Sequence, residues 1–199
     1  MNTGNKLDKL AINNGTDKSS KIHNFASFYE QYLDSDLNVK LLEVGIGKDE
    51  MPSLKMWRDY FTNGEIFGVD IRHYQHEEER IHTYVVDQSN EKDLEKFMST
   101  YGPFDIIIDD GSHYCSHQLN TLNLGFEHLS KNGLIIIEDL HTSLKCWHNG
   151  ANIDTEVTAL DVIRNLNKSM YVDIYQGKTG GHESTSITSV IIPNRSPNV

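Results

Sequence analysis

Carboxylate and imidazole side chains cluster in two short motifs, and each motif includes the end of an apolar run. The first occupies residues 106–113 (Ile-Ile-Ile-Asp-Asp-Gly-Ser-His), and the second occupies residues 134–141 (Leu-Ile-Ile-Ile-Glu-Asp-Leu-His). An uninterrupted Ile/Leu run predicts a strand that is buried on both faces, as in a parallel sheet. Because ligands of open α/β sheets bind just outside the carboxyl ends of the strands, both motifs are predicted to border a binding site.

Three carboxylates, those of Asp110, Glu138 and Asp139, meet at this edge if the two strands are neighbours. Crowded carboxylates repel one another unless a cation neutralises them, and hard oxygen ligands of this kind suit Mg²⁺, Mn²⁺ or Ca²⁺. An acid at a strand end can instead cap the following helix, which is the better interpretation of a single Asp. The pairing of the two motifs favours a functional site that holds a divalent cation.

The two histidines that close these motifs are candidates for a general base. His113 lies three residues beyond Asp110, so it can sit beside a metal without being a ligand. An unperturbed imidazole has a pKa of about 6.5, which suits a base near neutral pH. His141 is the main rival for this role, and His117 and His148 could line the pocket or act as the base instead.

A glycine loop follows the first predicted strand, in residues 43–50 (Glu-Val-Gly-Ile-Gly-Lys-Asp-Glu). The third glycine of the dinucleotide signature G-x-G-x-x-G is missing, and acids in the loop would repel a pyrophosphate. They suit a cationic ligand, such as one that carries a sulfonium and an amino group. Asp70, at the tip of the second strand, is placed to accept hydrogen bonds from a ribose diol, and Asp87, at the third tip, could contact an adenine amino group.

Strands and helices alternate along the chain, which predicts a Rossmann-like, doubly wound α/β fold. The expected sheet has seven strands, mostly parallel with the last strand antiparallel, in a three-layer sandwich. The predicted strands are residues 39–47 (with the glycine loop), 66–70, 81–87, 104–109, 134–137, 170–175 and 187–192. The predicted helices are residues 23–33, 51–61, 91–101, 117–130 and 155–168, with a turn at 131–133 and a loop at 177–186.

The length of 199 residues predicts a single domain over residues 1–199, which begins with a loop and a helix in residues 1–36. The first few residues are polar and are expected to fray. Aromatic side chains recur at helical spacing in residues 23–33. Packing against the sheet is the favoured interpretation of this stripe, and a lid over a ligand is the alternative.

Composition excludes several classes of function. A net charge of −11 and a pI of about 5.3 leave no basic stripe to meet phosphates, so no nucleic-acid partner is expected. The sequence shows no leader-like apolar segment and no membrane-length apolar run, so no membrane span is predicted and the expected location is cytoplasmic. Two cysteines, Cys115 and Cys146, predict no disulfide framework.

The glycine loop, Asp70, Asp87 and Asp109 together resemble the class I S-adenosylmethionine-dependent methyltransferases. More narrowly, residues 109–113 and 138–142 are similar to the acidic motifs of the metal-dependent sugar O-methyltransferases of the mycinamicin and macrocin type. Further stretches that resemble this family are residues 15–18, His23 and residues 53–61. The resemblance covers nearly the whole chain, and its two acidic motifs are its most specific part.

The resemblance implies an O-methyltransferase that uses S-adenosyl-L-methionine and Mg²⁺ (or Mn²⁺). The implied acceptor is a sugar hydroxyl of a nucleotide sugar, a glycan or a glycosylated metabolite, and a homo-oligomer is a further expectation. The implied metal ligands are Asp110, Glu138 and Asp139, and the implied base is His113, with His141 as the second catalytic candidate. The predicted cofactor-binding residues are Thr16, Glu43, Gly45, Gly47, Asp70, Asp87, Gln88 and Asp109.

Two rival functions stay open at this point. The same fold and metal could serve a catechol-like diol, for which Tyr114 or Trp147 would supply a stacking aromatic ring. A non-catalytic nucleoside-binding module is the second rival. The intact carboxylates together with His113 argue against it, because a decayed site would tolerate their loss.

Overall fold

The computed structural model of the chain describes residues 6–74, 78–166, 170–178 and 185–192. Its strands are β1 Lys40–Val44, β2 Glu65–Asp70, β3 Ile81–Val85, β4 Phe104–Asp109, β5 Leu129–Ile137, β6 Tyr171–Lys178 and β7 Thr185–Ile192. They form one sheet in the order β3-β2-β1-β4-β5-β7-β6, in which β7 runs antiparallel to β5 and β6 and the other neighbours are parallel. The predicted doubly wound sheet with an antiparallel last strand is confirmed.

Helices cover both faces of the sheet, as the predicted three-layer sandwich requires. The α-helices are α1 Lys6–Asn14, α2 Phe25–Tyr29, α3 Pro52–Tyr60, α4 Glu91–Tyr101, α5 Cys115–His128 and α6 Ala159–Leu166. One buried cluster joins Leu7, Phe25 and Trp57 of α1–α3 to the sheet, and a second joins Leu94 and Leu122 of α4 and α5 to its other face. Each helix therefore buries an apolar stripe against the Ile/Leu strands, which is the main source of stability for such a layer.

The register of the central strands brings three strand tips to one level. Val44 of β1 pairs with Asp109 of β4, and Asp109 pairs with Ile137 of β5. Asp110 and Glu138, the next residues along β4 and β5, therefore leave the sheet side by side. Asp110 and Glu138 are neighbours because β4 pairs in parallel with both β1 and β5. The order of the strands along the chain does not by itself determine this pairing.

Several predicted boundaries are wrong. Helix α1 was not predicted, because its apolar positions are few and polar residues surround them. The predicted helix at 117–130 ends at His128, and β5 begins at Leu129 and includes the predicted turn at 131–133. The turn residues form an irregularity within the strand: the β4–β5 register shifts there, and Asn132 has a left-handed φ of 70°.

Other boundaries moved by shorter distances. The predicted helix at 155–168 begins only at Ala159, and its residues 167 and 168 lie outside the described residues. The predicted loop at 177–186 overlaps both strands, because β6 extends to Lys178 and β7 begins at Thr185, and its residues 179–184 lie outside the described residues. The first few residues, which are predicted to fray, include residues 1–5, and these five also lie outside the described part.

The aromatic stripe packs into the core. Its helix, α2, is shorter than predicted, and Phe25, Phe28 and Tyr29 are buried in the cluster shared with α1 and α3. Phe28 stacks on Tyr175 of β6 with ring centroids 5.3 Å apart. Packing against the sheet, the favoured interpretation, is therefore what this segment does, and its role as a lid stays a prediction.

Among the described residues, no helix is long and apolar enough to cross a membrane. Both cysteines are free thiols, Cys115 buried and Cys146 exposed, as expected for a chain without a disulfide framework.

Candidate functional site

The glycine loop after β1 packs directly against the tip of β4. Gly45 and Gly47 have φ values of +93° and +72°, which glycine adopts without steric cost. A Cβ atom on Gly45 would lie 2.0 Å from the carbonyl oxygen of Asp110, so no larger residue fits there. The loop is thus held against the first acidic motif.

Asp70, at the end of β2, fastens the same loop from the other side. Its Oδ2 accepts hydrogen bonds from the N–H groups of Ile46 (3.0 Å) and Gly47 (3.2 Å) and from the Tyr74 hydroxyl (3.0 Å). Burial raises the pKa of Asp70, but the hydrogen bonds from backbone N–H groups and from Tyr74 outweigh it and lower that pKa. Asp70 is therefore a stable anion at the edge of the loop.

A cavity of about 280 Å³ opens between the tips of β1, β2 and β4 and is called here the glycine-loop cavity. Of the predicted cofactor-binding residues, five line it: Gly45, Gly47, Asp70, Asp87 and Gln88. Asp110, Gly111, Ser112 and His117 line its other wall. Thr16, Glu43 and Asp109 do not line it.

Gln88 and Asp109 form a buried network behind the cavity. The Gln88 side-chain amide donates to Oδ2 of Asp109 (2.7 Å), and its oxygen accepts from the N–H of Ser112 (3.1 Å). Asp109 also accepts from the N–H of Gly111 (3.1 Å) and is fully buried, which raises its pKa. The network shapes the loop at 110–113, and Asp109 has no exposed surface with which to touch a ligand.

A second constellation lies beyond the cavity wall, where Asp110, His113 and Asp139 each offer a ligand atom within 4.8 Å of the others. Nε2 of His113 is 3.5 Å from Oδ2 of Asp139. His113 and Asp139 both have left-handed backbones, with φ values of 61° and 51°. Such conformations are costly for non-glycine residues and concentrate at functional sites, so two of them facing each other mark this site.

Glu138 pairs with a buried lysine that it shares with Asp110. Nζ of Lys18 lies 2.9 and 3.0 Å from the two carboxylate oxygens of Glu138, 2.5 Å from Oδ2 of Asp110 and 3.4 Å from Oε1 of Glu43. The Lys18 side chain is only 1% exposed. Glu43, Asp110, Glu138 and Asp139 are called the acidic cluster below.

The charges in the acidic cluster are only partly balanced. Burial would lower the pKa of Lys18, but the surrounding carboxylates outweigh it and hold that pKa well above its usual value. Burial raises the pKa of Asp110, of Glu138 and of Glu43, the last to about 7, even though Lys18 opposes each shift. One ammonium therefore leaves the cluster short of positive charge.

The chemistry of the cluster fits a hard divalent cation. Its donors are carboxylate oxygens beside one imidazole, the set that Mg²⁺ and Mn²⁺ accept. Oδ1 of Asp139 and Nδ1 of His113 are buried without a hydrogen-bond partner, as expected of groups kept for a ligand. Asp110 and Asp139 lie where predicted, and Glu138 adjoins them while paired with Lys18.

The other candidate histidines divide into two groups. His141 adjoins the site, with Nδ1 3.6 Å from Oδ1 of Asp139, and burial lowers its pKa against the opposing charge of that carboxylate. The ring of Trp147 packs edge-on to His141 at 4.3 Å. His117 instead contacts Ser112 through Nδ1 (2.5 Å) at the cavity wall, and His148 packs against Trp147.

Sequence reasoning gave no role to Lys18 or to Thr142. The Thr142 hydroxyl lies 3.0 Å from the carbonyl oxygen of His113 and 2.8 Å from that of Asp139, so it bridges the two strained residues. Crowded carboxylates did imply a cation, but nothing in the spacing of residues 15–20 indicated that the chain itself supplies one.

Comparison with known proteins yields relatives of one kind. The rhamnosyl tetracenomycin-C 2'-O-methyltransferase of Streptomyces olivaceus is 36% identical over 182 residues, which cover 87% of this chain and 48% of the relative. Demethylmacrocin O-methyltransferase of Streptomyces fradiae is 36% identical over 176 residues, 82% of this chain and 44% of the relative. The chain thus spans about half the length of the curated relatives it matches. No protein-family model matches it.

The fold comparison agrees with these relatives. The methyltransferase MycE of the mycinamycin biosynthetic pathway, solved in complex with Mg, SAH and mycinamycin VI, superposes with a TM-score of 0.79 at 26% identity. The match covers 96% of this chain and 55% of MycE. The resemblance predicted from the acidic motifs is confirmed, and the chain is a homologue of the sugar O-methyltransferases of natural-product pathways, with their Rossmann-like methyltransferase fold.

Proposed function

We propose that this chain transfers a methyl group from S-adenosylmethionine to a sugar hydroxyl, in a reaction that needs a divalent metal. One observation carries the proposal: Asp110 belongs both to the glycine-loop cavity and to the Asp110–His113–Asp139 constellation. A cofactor in the cavity and an acceptor at the metal would therefore lie on either side of one residue. Methyl transfer requires this proximity of donor and acceptor.

The glycine-loop cavity suits the cofactor by charge and by shape. S-adenosylmethionine supplies the methyl group. Gly45 and Gly47 allow close approach of the backbone, and Asp70 presents an anion toward the position expected for a ribose diol. Asp87 and Gln88 complete the cavity wall as the proposed contacts of the adenine ring. Thr16, Glu43 and Asp109, which lie outside the lining, are proposed to support the loop and the acidic cluster.

The acidic cluster suits the metal, with Asp110, Glu138 and Asp139 as the proposed ligands. A bound Mg²⁺ supplies Lewis acidity, which lowers the pKa of an acceptor hydroxyl. Asp110 and Asp139 face each other across the site, and Glu138 would turn one oxygen from Lys18 toward it. His113, on the open side of Asp139, is held by its backbone so that its ring faces the same space.

His113 is the proposed general base. Its ring is 27% exposed, so it can reach a bound hydroxyl, whereas His141 is 10% exposed and lies behind Asp139. Buried His141 has a lowered pKa and stays neutral, so it can orient Asp139 or serve as the alternative base.

The acceptor class is a sugar carried by a larger molecule, because two of the curated relatives are named for methyl transfer to compounds that carry rhamnosyl and L-olivosyl groups. A nucleotide sugar is one specific acceptor within this class. A catechol-like acceptor is the second candidate, since Tyr114 is 42% exposed one residue after His113 and Trp147 packs beside His141. A single methyltransferase domain, a cytoplasmic location and a homo-oligomer stay predictions.

The test is an acceptor panel with labelled S-adenosylmethionine and Mg²⁺, followed by mass spectrometry. The expected product is a methylated deoxysugar glycoside whose formation stops in chelator and resumes with Mg²⁺ or Mn²⁺. Methylation of a catechol alone would favour the second candidate. Binding of S-adenosylhomocysteine without methylation of any acceptor in the panel would favour the non-catalytic module.

A further inference from the structure

Lys18 joins the tips of three neighbouring strands through one buried ammonium. Glu43 lies in β1, Asp110 follows β4 and Glu138 follows β5, and all three carboxylates approach Nζ within 3.4 Å. Its N–H groups donate to Asp110 and Glu138, and Glu43 is an ion-pair contact at the longer distance of 3.4 Å. Lys18 reaches them from the loop between α1 and α2, so it connects that segment to the tips of the central strands.

Charge balance makes Lys18 more than a packing residue. The acidic cluster contains four carboxylates, and Lys18 is the cation that contacts three of them. A buried carboxylate without a counter-charge is strongly destabilising, so the cluster needs Lys18 to remain assembled before a metal arrives. A dication bound by the cluster would lie close to the same ammonium, which would repel it.

We propose that Lys18 is the built-in counter-cation of the metal site: it holds the acidic cluster together without a metal and lowers the affinity of the site for divalent cations. The inference rests on the metal site of the proposed function. A site of this kind remains folded when empty and exchanges its metal readily, so the metal can arrive or leave with the acceptor.

The test is a charge series measured with Mn²⁺ as the probe, by calorimetry and electron paramagnetic resonance at pH 8.5. Lys18→Met removes a positive charge, Glu43→Gln removes a negative charge, and the double variant Lys18→Met/Glu43→Gln restores the wild-type balance. Lys18→Met is expected to bind Mn²⁺ on the order of tenfold more tightly than wild type, and Glu43→Gln more weakly. The double variant should return to within about threefold of wild type if the two charges act additively.

Thermal unfolding supplies a second readout. In chelator, Lys18→Met should unfold at a lower temperature than wild type, and Mn²⁺ should raise its midpoint more than it raises that of wild type. The matched control is Lys21→Met, an exposed lysine of the same loop, which should change neither quantity.

Each contrary outcome is informative. A folded Lys18→Met variant that binds Mn²⁺ no more tightly than wild type would overturn the inference and leave the metal site intact. No Mn²⁺ binding by wild type would overturn the metal site itself. If Lys18→Met does not fold even with Mn²⁺, the double variant decides: it should fold in chelator, and its failure to do so would show that charge balance is not the role of Lys18.

Discussion

The glycine-loop cavity and the acidic cluster lie side by side at the strand tips, and both depend on carboxylates that are stabilised by different partners. In the cavity, Asp70 accepts hydrogen bonds from backbone N–H groups, which lower its pKa. In the cluster, burial raises the pKa of Glu43, Asp110 and Glu138 despite the nearby ammonium of Lys18. The negative charge of Asp70 in the cavity is already stabilised by the protein, whereas the acidic cluster requires a further cation.

The difference explains how one edge can serve two ligands of unlike chemistry. A carboxylate already satisfied by the backbone keeps its position and can accept additional hydrogen bonds from a neutral ribose diol. Carboxylates short of positive charge attract a dication instead. A substitution in one half should therefore alter the binding of one ligand and leave that of the other unchanged.

The largest expected effect falls on the acceptor side of the cluster. His113→Ala should lower the single-turnover rate of methyl transfer by roughly 10²–10⁴-fold at saturating Mg²⁺, as removal of a positioned base does. Its affinity for S-adenosylhomocysteine should stay at the wild-type level, because His113 does not line the glycine-loop cavity. A variant that keeps the wild-type rate while His141→Ala is inactive would move the base to His141.

A smaller effect is expected in the cavity. Asp70→Asn removes the anion that holds the glycine loop, so the affinity for S-adenosylhomocysteine, measured by calorimetry, should fall by about tenfold or more. Glu91→Gln serves as the comparison, because Glu91 is exposed at the start of α4 and does not line the cavity. Equal losses in both variants would contradict a special role for Asp70, and a loss of Mn²⁺ binding in Asp70→Asn would contradict the separation of the two halves.

The smallest effect concerns stability and pH. The pKa of Glu43 is about 7 in the folded protein and 4.5 in the reference state, so the folded chain binds a proton more tightly and loses stability as the pH rises from 4.5 to 7. Above pH 7 the penalty reaches its full size. Glu43→Gln removes it, so in chelator its unfolding midpoint should exceed that of wild type at pH 8.5 and approach wild type near pH 5.

Exposed Glu95 in α4 provides the matched control, because Glu95→Gln should shift the midpoint equally little at both pH values. A Glu43→Gln variant that is less stable than wild type at pH 8.5 would show that the pair with Lys18 outweighs the burial of the carboxylate.

Periodicity predicted the sheet well because its signal is strong where strands are buried on both faces. The uninterrupted Ile runs of β4 and β5 are typical of such strands. The acids that follow these runs are therefore expected at the strand tips. The resemblance to known methyltransferases added roles that the residues alone left open. Helix α1 and the extended β5 escaped prediction, since a weak apolar stripe and a Lys-Asn-Gly sequence inside a strand both resemble loops.

The position of Lys18 could not be read from the sequence for a different reason. Its partners are 25, 92 and 120 residues away along the chain, and only the folding of the 15–24 loop onto the strand tips brings them together. A cation was expected beside the carboxylates, but local spacing carries no information about such distant contacts.

The central claim is that one edge of the sheet carries a nucleoside site and, next to it, a metal site whose carboxylates can be changed without loss of nucleoside binding. The most direct measurement is a pair of calorimetric titrations, with S-adenosylhomocysteine and with Mn²⁺, on wild type and on Asp139→Asn. Wild type should bind both ligands, and the variant should bind S-adenosylhomocysteine with wild-type affinity while its Mn²⁺ binding is lost. Undiminished Mn²⁺ binding by Asp139→Asn, or joint loss of both ligands in a folded variant, would contradict the account.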